Sequence, residues 1–299
     1  MATKKESMAL DSFEIEIRDI KSVELAQLHV LSIGVSWPHR AEDWRMLRET
    51  GRGVAALDEI GRVLGSAMWF PFAEDFASVG MVITSPRLQA RGAARWLMDR
   101  VLLETGDRSL ILNSTRAARR LYLSMGFIAE ATVYQCQSLA SPPPSAPLPD
   151  GASLRGVGNA DLPELVELDR KAYGADRTAL MKRLTANSKG VALLRSGRIA
   201  AFSLCRPFGR GHVIGPVVAA NDADATAVTR PHVADHVGRF LRVDTSQSGG
   251  AFFALLARSG LPVFDTVTTM SLGRRWTTQK WTADGARPII YALAAQALG

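Results

Sequence analysis

Three arginines, a glutamine and a run of small residues stand together in Arg87-Leu88-Gln89-Ala90-Arg91-Gly92-Ala93-Ala94-Arg95. Small residues at 92, 93 and 94 let a polyanion come close to the backbone. The first turn of a helix carries amides without intrahelical partners, and its macrodipole adds partial positive charge there. With Arg87, Arg91 and Arg95 adding full charges, a pyrophosphate is the natural ligand. Taken alone, Gln-x-x-Gly-x-Ala is a pattern that many helix starts match. A phenol follows at Tyr122, in Leu121-Tyr122-Leu123-Ser124-Met125-Gly126-Phe127; its plainer reading is a core aromatic beside Phe127. Further upstream, Trp37-Pro38-His39-Arg40 and Asp43-Trp44 gather two indoles, an imidazole and a guanidinium. Such a cluster can line an aromatic pocket, or it can plug a helix–helix corner with Pro38 ending the first helix. Both can hold at once.

The elements that must position these groups follow from hydrophobic periodicity. Val79-Gly80-Met81-Val82-Ile83 is a short apolar run broken by Thr84-Ser85-Pro86, and a helical pattern runs from Trp96 to Glu104. Leu110-Ile111-Leu112-Asn113 reads as a second strand, and the helix after it ends at Gly126-Phe127. Strand, tight turn, helix, strand, helix is a layout that binds a phosphorylated cofactor and brings one phenol up to it. Before it, Phe13 to Arg18 alternates apolar and polar as a strand with one buried face. Asp19 to Leu25 leads into a helix with Val23, Leu28, Leu31 and Val35 near one face. Gly53–Leu57 and Val63–Phe70 read as a hairpin, Phe72 to Ala77 as a loop, and Ala131–Cys136 as a closing strand.

Residues 141–149 hold five prolines in nine, which favours an extended polyproline spacer rather than core. Beyond it the plan repeats. A strand at Ala152–Arg155 precedes a helix opened by Asp161 and Pro163; a hairpin turns around Arg195–Arg198, and another strand spans His212–Val218. The pattern is that of a duplicated domain, without residue identity. The copies differ at the chemistry: Ala219-Ala220-Asn221-Asp222-Ala223-Asp224 is acidic and lacks the glycine turn, and Leu256-Ala257-Arg258-Ser259-Gly260-Leu261 stands where the first copy has its tyrosine. The second copy is expected to have lost the cofactor site and to shape or close the substrate pocket. The tail, from Trp276, ends in an apolar run, Ile289 to Leu298, expected to pack on the body as a C-terminal helix.

Bulk composition narrows the function classes. The 299 residues fit one large domain or two ordinary ones, and 47% hydrophobic with 22% charged residues is a globular balance. No apolar run reaches membrane-spanning length, and Met1-Ala2-Thr3-Lys4-Lys5 begins no secretory signal, so a cytoplasmic location is expected. Cys136 and Cys205 have no metal or redox spacing and read as reduced thiols. The formal charge of +7 hints at nucleic acid, but residues 1–140 are balanced at 17 basic and 17 acidic. The excess lies in residues 141–299, 19 basic against 12 acidic, scattered rather than blocked. No nucleic acid, membrane or metal is expected as a partner, and the chain is expected to be a monomer or homodimer.

The motifs resemble those of the GCN5-related N-acetyltransferase (GNAT) superfamily: a strand, Gln/Arg-x-x-Gly-x-Gly/Ala and a helix, met by Gln89, Gly92 and Ala94. A later strand and a helix ending Leu-Tyr-x-x-x-Gly-Phe are met by Leu121, Tyr122, Gly126 and Phe127. Trp37-Pro38-His39, Leu112-Asn113-Ser114-Thr115, Ile214-Gly215-Pro216-Val217-Val218 and Ala294-Ala295-Gln296-Ala297-Leu298-Gly299 resemble bacterial two-domain members with a degenerate second domain. The resemblance implies an α/β (α+β) chain of tandem acyl-CoA N-acyltransferase folds, each a mixed, mostly antiparallel central sheet flanked by helices. It implies a catalytic domain over residues 1–140, a linker at 141–150, a degenerate domain at 151–273 and a tail at 274–299.

By that resemblance the co-substrate is acetyl-CoA or another acyl-CoA. The backbone of Val82 and Ile83 would pair with the pantetheine arm, and the amides from Ala90 to Arg95, including Arg91, Gly92, Ala93 and Ala94, would hold the pyrophosphate. Tyr122 would protonate the departing thiolate as general acid, since an unperturbed phenol near pKa 10 is protonated at neutral pH. The acceptor amine must lose a proton first. Glu74, Asp75 and His39 are candidate bases by position, and Trp37, His39 and Trp44 border the expected pocket; Val79-Gly80-Met81 offers no base on the strand itself. The implied activity is acetyl transfer to a small-molecule amine. A non-catalytic acyl-CoA sensor and a protein-lysine acetyltransferase are the alternatives.

Overall fold

A computed structural model describes residues 7–10, 13–89, 91–275 and 287–299. In chain order the elements are β1 (Ser7–Leu10), β2 (Phe13–Asp19), α1 (Leu25–Gly34), α2 (Ala41–Thr50), β3 (Arg52–Asp58), β4 (Val63–Phe72), β5 (Phe76–Thr84), α3 (Ala93–Thr105), β6 (Ser109–Ser114), α4 (Arg119–Ser124) and β7 (Ile128–Leu139). The second run is β8 (Ala152–Gly156), α5 (Leu162–Tyr173), α6 (Thr178–Ala186), β9 (Lys189–Arg195), β10 (Arg198–Phe208), β11 (Gly211–Ala219), α7 (Asp222–Asp235), β12 (Phe240–Thr245), α8 (Gly250–Arg258), β13 (Val263–Leu272) and β14 (Ile289–Ala292). From β2 to β7 and from β8 to β13 the order of strands and helices is the same, so the duplicated plan extends to the closing strand of each copy. The architecture is mixed α/β, with mostly antiparallel sheet flanked by helices.

The chain forms two compact units that divide between Leu110 and Ile111, inside β6. In the first, β1 to β5 make an antiparallel meander in sequence order. Its core gathers Ile15, Leu28, Trp44, Met68, Trp69 and Leu97. In β2 only Ile15 is fully buried among the described side chains, whereas β3 and β4 are buried almost throughout because α1 and α3 pack against the sheet. The stretch read as a loop from Phe72 to Ala77 is tighter than that: β4 runs through Phe72, β5 begins at Phe76, and Ala73 takes the left-handed turn position at φ 59°. Burial of Phe72 and Phe76, ring centroids 6.5 Å apart, extends the strands to the hairpin tip.

In the second unit the strand order is β6-β13-β7-β12-β11-β10-β9-β8, with β14 on β11. The closing strand of each copy is exchanged. β7 lies beside β12, pairing Tyr134 with Thr245 and Leu139 with Phe240, while β13 lies between β6 and β7. The core here is built on Leu193, Phe202, Ile214, Val228, Leu241 and Phe252. Residues 141–149 run between β7 and β8 without regular structure. The apolar end of the chain is not the expected helix: Ile289–Ala292 is a strand that pairs with β11. Two β-branched isoleucines and a tyrosine favour extended backbone, and the open edge of β11 supplies the ladder. Residues 276–286, the start of that tail, lie outside the described residues.

Candidate active site

In the first unit the phosphate-type turn joins β5 to α3. The β4–β5 ladder slips once: Ser66 faces Ile83 and Met68 faces Gly80, so Met81 and Val82 share the space opposite Ala67. This bulge puts the buried Met81 at φ 52°, a conformation rare for a side-chain-bearing residue. The buried Ser66 hydroxyl donates to the Met81 carbonyl at 2.7 Å and holds the bulge in place. Val82 completes the bulge and Ile83 follows it; Ile83 is buried and Val82 half-buried. The turn is then pinned from both ends, by Ser85 N–H to Leu64 O at 2.7 Å and Leu88 N–H to Ser85 O at 2.9 Å, with the Leu88 side chain buried.

Gly92 is the N-cap of α3 and sits at φ 78°, ψ −5°, the left-handed region open to glycine without a Cβ penalty. Its carbonyl accepts the Trp96 amide at 3.0 Å and so starts the helix. Ala93 is buried against the core and Ala94 half-buried, whereas Arg87, Gln89, Arg91, Gly92 and Arg95 are exposed. Arg95 is also 3.2 Å from Asp99, and the first turn of α3 carries no acidic residue. Gln89 leans back over the turn, its Nε2 3.5 Å from Thr84 O. Ala90 lies outside the described residues. The result is an exposed helix start set among three arginines directly after a bulged strand, and its charge suits a polyanion.

In the second unit Tyr122 stands on α4 and is nearly fully buried. The Leu-Tyr-x-x-x-Gly-Phe pattern is a helix C-terminus written in sequence. Gly126 takes φ 86°, its amide donates to Leu123 O at 3.1 Å, and the Phe127 amide reaches back to Tyr122 O at 3.0 Å. The rings of Tyr122 and Phe127 meet edge-on with centroids 5.8 Å apart. Burial pushes the Tyr122 phenol well above its ordinary range. It therefore keeps its proton through neutral and alkaline pH and can donate one but not accept one.

The remaining candidates are spread over the first unit. Glu74 and Asp75 occupy the β4–β5 hairpin tip, with Glu74 fully exposed and 3.7 Å from Arg108. At about 3.3 Å per strand residue that tip lies roughly 25–30 Å along β5 from Thr84. Trp37, His39 and Trp44 do come together between α1 and α2, their ring centroids 6.0 and 6.4 Å apart in sequence order. Trp44 is the plug: it is 0% exposed, and its indole N–H donates to the buried Ser32 hydroxyl at 3.2 Å. Trp37 and His39 remain half-exposed, and His29 Nδ1 lies 2.7 Å from the His39 carbonyl oxygen. Arg40 grips Asp43 through two side-chain bonds while its own amide caps α2 on the same carboxylate. The cluster thus plugs a corner with one indole and presents the other ring pair at its rim.

The second copy shows what the same turn becomes without the cradle. Asn221 caps α7 by accepting the Asp224 amide at 2.9 Å, and Asp222 and Asp224 both stand in the first turn. Asp224 is buried and held by Arg195 at 2.5 and 2.8 Å, and Asp222 accepts the Phe252 amide at 3.1 Å. The helix end is satisfied from within and negatively charged. At the Tyr122 position, Leu256 closes the same turn, its carbonyl accepting Leu261 N–H at 3.0 Å with Gly260 at φ 75°.

Two features escaped sequence reading. The left-handed Met81 has no local signature, because a methionine is not a residue that marks a bulge. Asn113 on β6 binds Thr269 Oγ1 at 2.7 Å and Gln296 O at 2.8 Å, joining strand and tail across more than half the sequence. Its only trace in sequence is a polar residue ending an apolar run.

Comparison with known proteins agrees with the fold. Residues 49–129 and 165–283 each match an acetyltransferase (GNAT) domain model. A candidate acetyltransferase from Pyrococcus horikoshii superposes with a TM-score of 0.77 at 17% identity, covering 100% of both chains. A tandem GNAT protein from the clavulanic acid biosynthesis pathway gives 0.62 at 15% identity, over 86% of this chain and 98% of its own. A GCN5-related N-acetyltransferase from Sphaerobacter thermophilus gives 0.61 at 16%, over 86% and 95%. No curated protein matches the sequence. With two matched domains spanning about two thirds of its length, one in each copy of the repeated plan, the chain belongs to the GNAT superfamily as a tandem, two-domain member.

Proposed function

We propose that the protein is an N-acetyltransferase that moves an acetyl group from acetyl-CoA to the amine of a small molecule, with one working site carried by residues 1–140. The observation that carries this reading is the contrast between the two helix starts. That of α3 is exposed, glycine-capped and surrounded by Arg87, Arg91 and Arg95, whereas that of α7 is acidic and self-capped. An acyl-CoA supplies the thioester whose carbonyl carbon the free amine attacks. The turn from Gln89 to Arg95 binds the pyrophosphate through backbone amides and guanidiniums. Main-chain groups of Val82 and Ile83, at the end of the bulge, extend the sheet to the pantetheine arm. Tyr122, protonated at neutral pH as any phenol is, donates its proton to the leaving thiolate. His39, half-exposed beside Trp37, is the favoured group among the candidate bases for taking the amine proton, because Glu74 and Asp75 are solvated at the hairpin tip.

The second copy is assigned a structural role, since its turn would repel a pyrophosphate. Among the described residues no helix is long and apolar enough to cross a membrane and no side-chain group is suited to hold a metal ion; the proposed chemistry uses neither. A panel of small amines screened for acetyl-CoA-dependent thiol release tests the reading. Release with one amine class supports it, and CoA binding with no release for any amine, peptide lysines included, would leave a sensor in its place.

A further inference from the structure

The second copy of the fold keeps the bulged strand of the first and fills the space beside it with its own chain. In β4–β5, Ser66 faces Ile83 and Met68 faces Gly80; in β10–β11, Ser203 faces Val217 and Cys205 faces Ile214. Both ladders slip at the same place, so Gly215-Pro216 answers to Met81-Val82, and Val217 to Ile83. On its other edge, among the described residues, β11 pairs with β12 only at His212 and Val213. Past the bulge that edge changes partner: Val217, Val218 and Ala219 pair antiparallel with Ala292, Ile290 and Ile289 of β14. The inserted strand also bonds across to β12, through Leu293 N–H to Asp244 O at 2.8 Å and Thr245 Oγ1 to Tyr291 O at 2.6 Å. β14 therefore lies in the wedge where β11 and β12 part.

The seat is built for this occupant. A Cβ at Gly215 would collide with the Leu293 carbonyl, so only glycine admits the strand at this depth. Tyr291 is buried edge-on against Phe252, centroids 5.2 Å apart. Beyond β14 the chain is locked by buried cations: Arg206 donates to Ala294 O at 2.9 Å, and Arg177 to Leu298 O and Gly299 O at 3.0 and 2.8 Å. Arg177 is itself held by both oxygens of Asp169, at 3.0 and 2.6 Å, and neither side chain is exposed to solvent. A segment anchored by a buried, paired guanidinium does not leave its seat cheaply.

We infer that the segment Ile289–Gly299 is a built-in occupant of the second fold's acyl-pantetheine slot: it supplies the main-chain ladder that the arm of an acyl-CoA would otherwise form, so the protein takes one acyl-CoA per chain. This rests on the proposed assignment of Val82 and Ile83 to the arm in the first copy.

Hydrogen exchange and titration calorimetry on the full chain with CoA test it. In the ligand-free protein the amides of 217–219 and 289–293 should exchange slowly, at strand-like rates, and saturating CoA should change them by less than about twofold. Amides of 82–84 should slow by about tenfold or more on CoA binding, and the stoichiometry should be one. Gly215→Ala should speed exchange across 289–293 by about tenfold or more while CoA affinity stays within about twofold. Open-chain exchange rates at 289–293 in the unaltered protein, or a second CoA whose binding changes them, would overturn the inference. Should Gly215→Ala fail to fold, the unaltered protein's exchange pattern decides alone. Absence of any CoA binding combined with slow exchange at 289–293 would instead refute the proposed function and leave the occupancy standing.

Discussion

At the scale of single residues, burial assigns roles that residue type alone leaves open. Burial drives the pKa of the Tyr122 phenol upward, so at neutral pH it holds the proton that the proposed acid role requires. Replacing it with phenylalanine keeps the edge-on contact with Phe127 and removes only the hydroxyl. Tyr122→Phe should therefore lower kcat by about tenfold or more, with CoA affinity and melting temperature nearly unchanged; steady-state kinetics and calorimetry on the same preparation check this, and an unchanged kcat would move the acid elsewhere. His232 shows burial acting on the opposite charge type. It is fully buried on α7, with Nε2 3.5 Å from Ser203 O and no partner at Nδ1, and burial pushes its imidazole down to about 4. The unfolded chain, with histidine near 6.5, takes up this proton first. The neutral, folded form thus contributes fully above pH 6.5, and stability falls as pH drops from about 6.5 towards 4, by up to about 1.4 kcal/mol per pH unit. Urea unfolding between pH 4.5 and 7 should show a shallower loss for His232→Gln than for the unaltered protein.

At the scale of elements, the turn between β5 and α3 is where sequence and structure correspond most directly. Gly92 is needed because the N-cap backbone is left-handed, and the small residues after it follow from close packing of Ala93 on the core. Gly92→Glu strains that backbone and sets a carboxylate where the pyrophosphate is proposed to bind. CoA affinity should fall by about a hundredfold or more, read by calorimetry, since a charge-assisted contact is replaced by repulsion; retained affinity would sink the pyrophosphate assignment. This turn and the Gly126-Phe127 helix end were both legible because each rule is local: a positive φ demands glycine, and a helix terminus demands a cap. The Met81 bulge was not, because it comes from the register of β4 against β5 and from Ser66 beneath it. The strand at Ile289–Ala292 read as a helix for the same kind of reason. An apolar run of that length suits either state, and the open edge of β11 that decides it lies about seventy residues away in sequence.

At the scale of the whole molecule, the repeated plan was visible in the order of periodic segments, but the exchange of closing strands was not. Ala131–Cys136 and Val263–Leu272 are ordinary amphipathic strands, and nothing within either says which neighbour it takes. The exchange is settled by global pairing, with Cys136 facing Val243 on one side and Val263 on the other. The proline run at 141–149 separates the two copies in sequence, yet the hydrogen-bonded ladder of β7 crosses to strands beyond it. Cutting the chain within that run therefore exposes edges on both sides. Residues 1–145 alone would leave β6 and β7 without β13, and residues 146–299 alone would leave β12 and β13 without β7. Unpaired apolar strand edges aggregate. Each fragment expressed singly should be insoluble or unfolded by circular dichroism, whereas co-expression should give a soluble one-to-one complex with the melting profile of the intact protein. A soluble, cooperatively melting fragment of residues 1–145 would show that the first copy can close its sheet without the exchanged strand, and that the exchange is an accessory to the fold rather than part of its core.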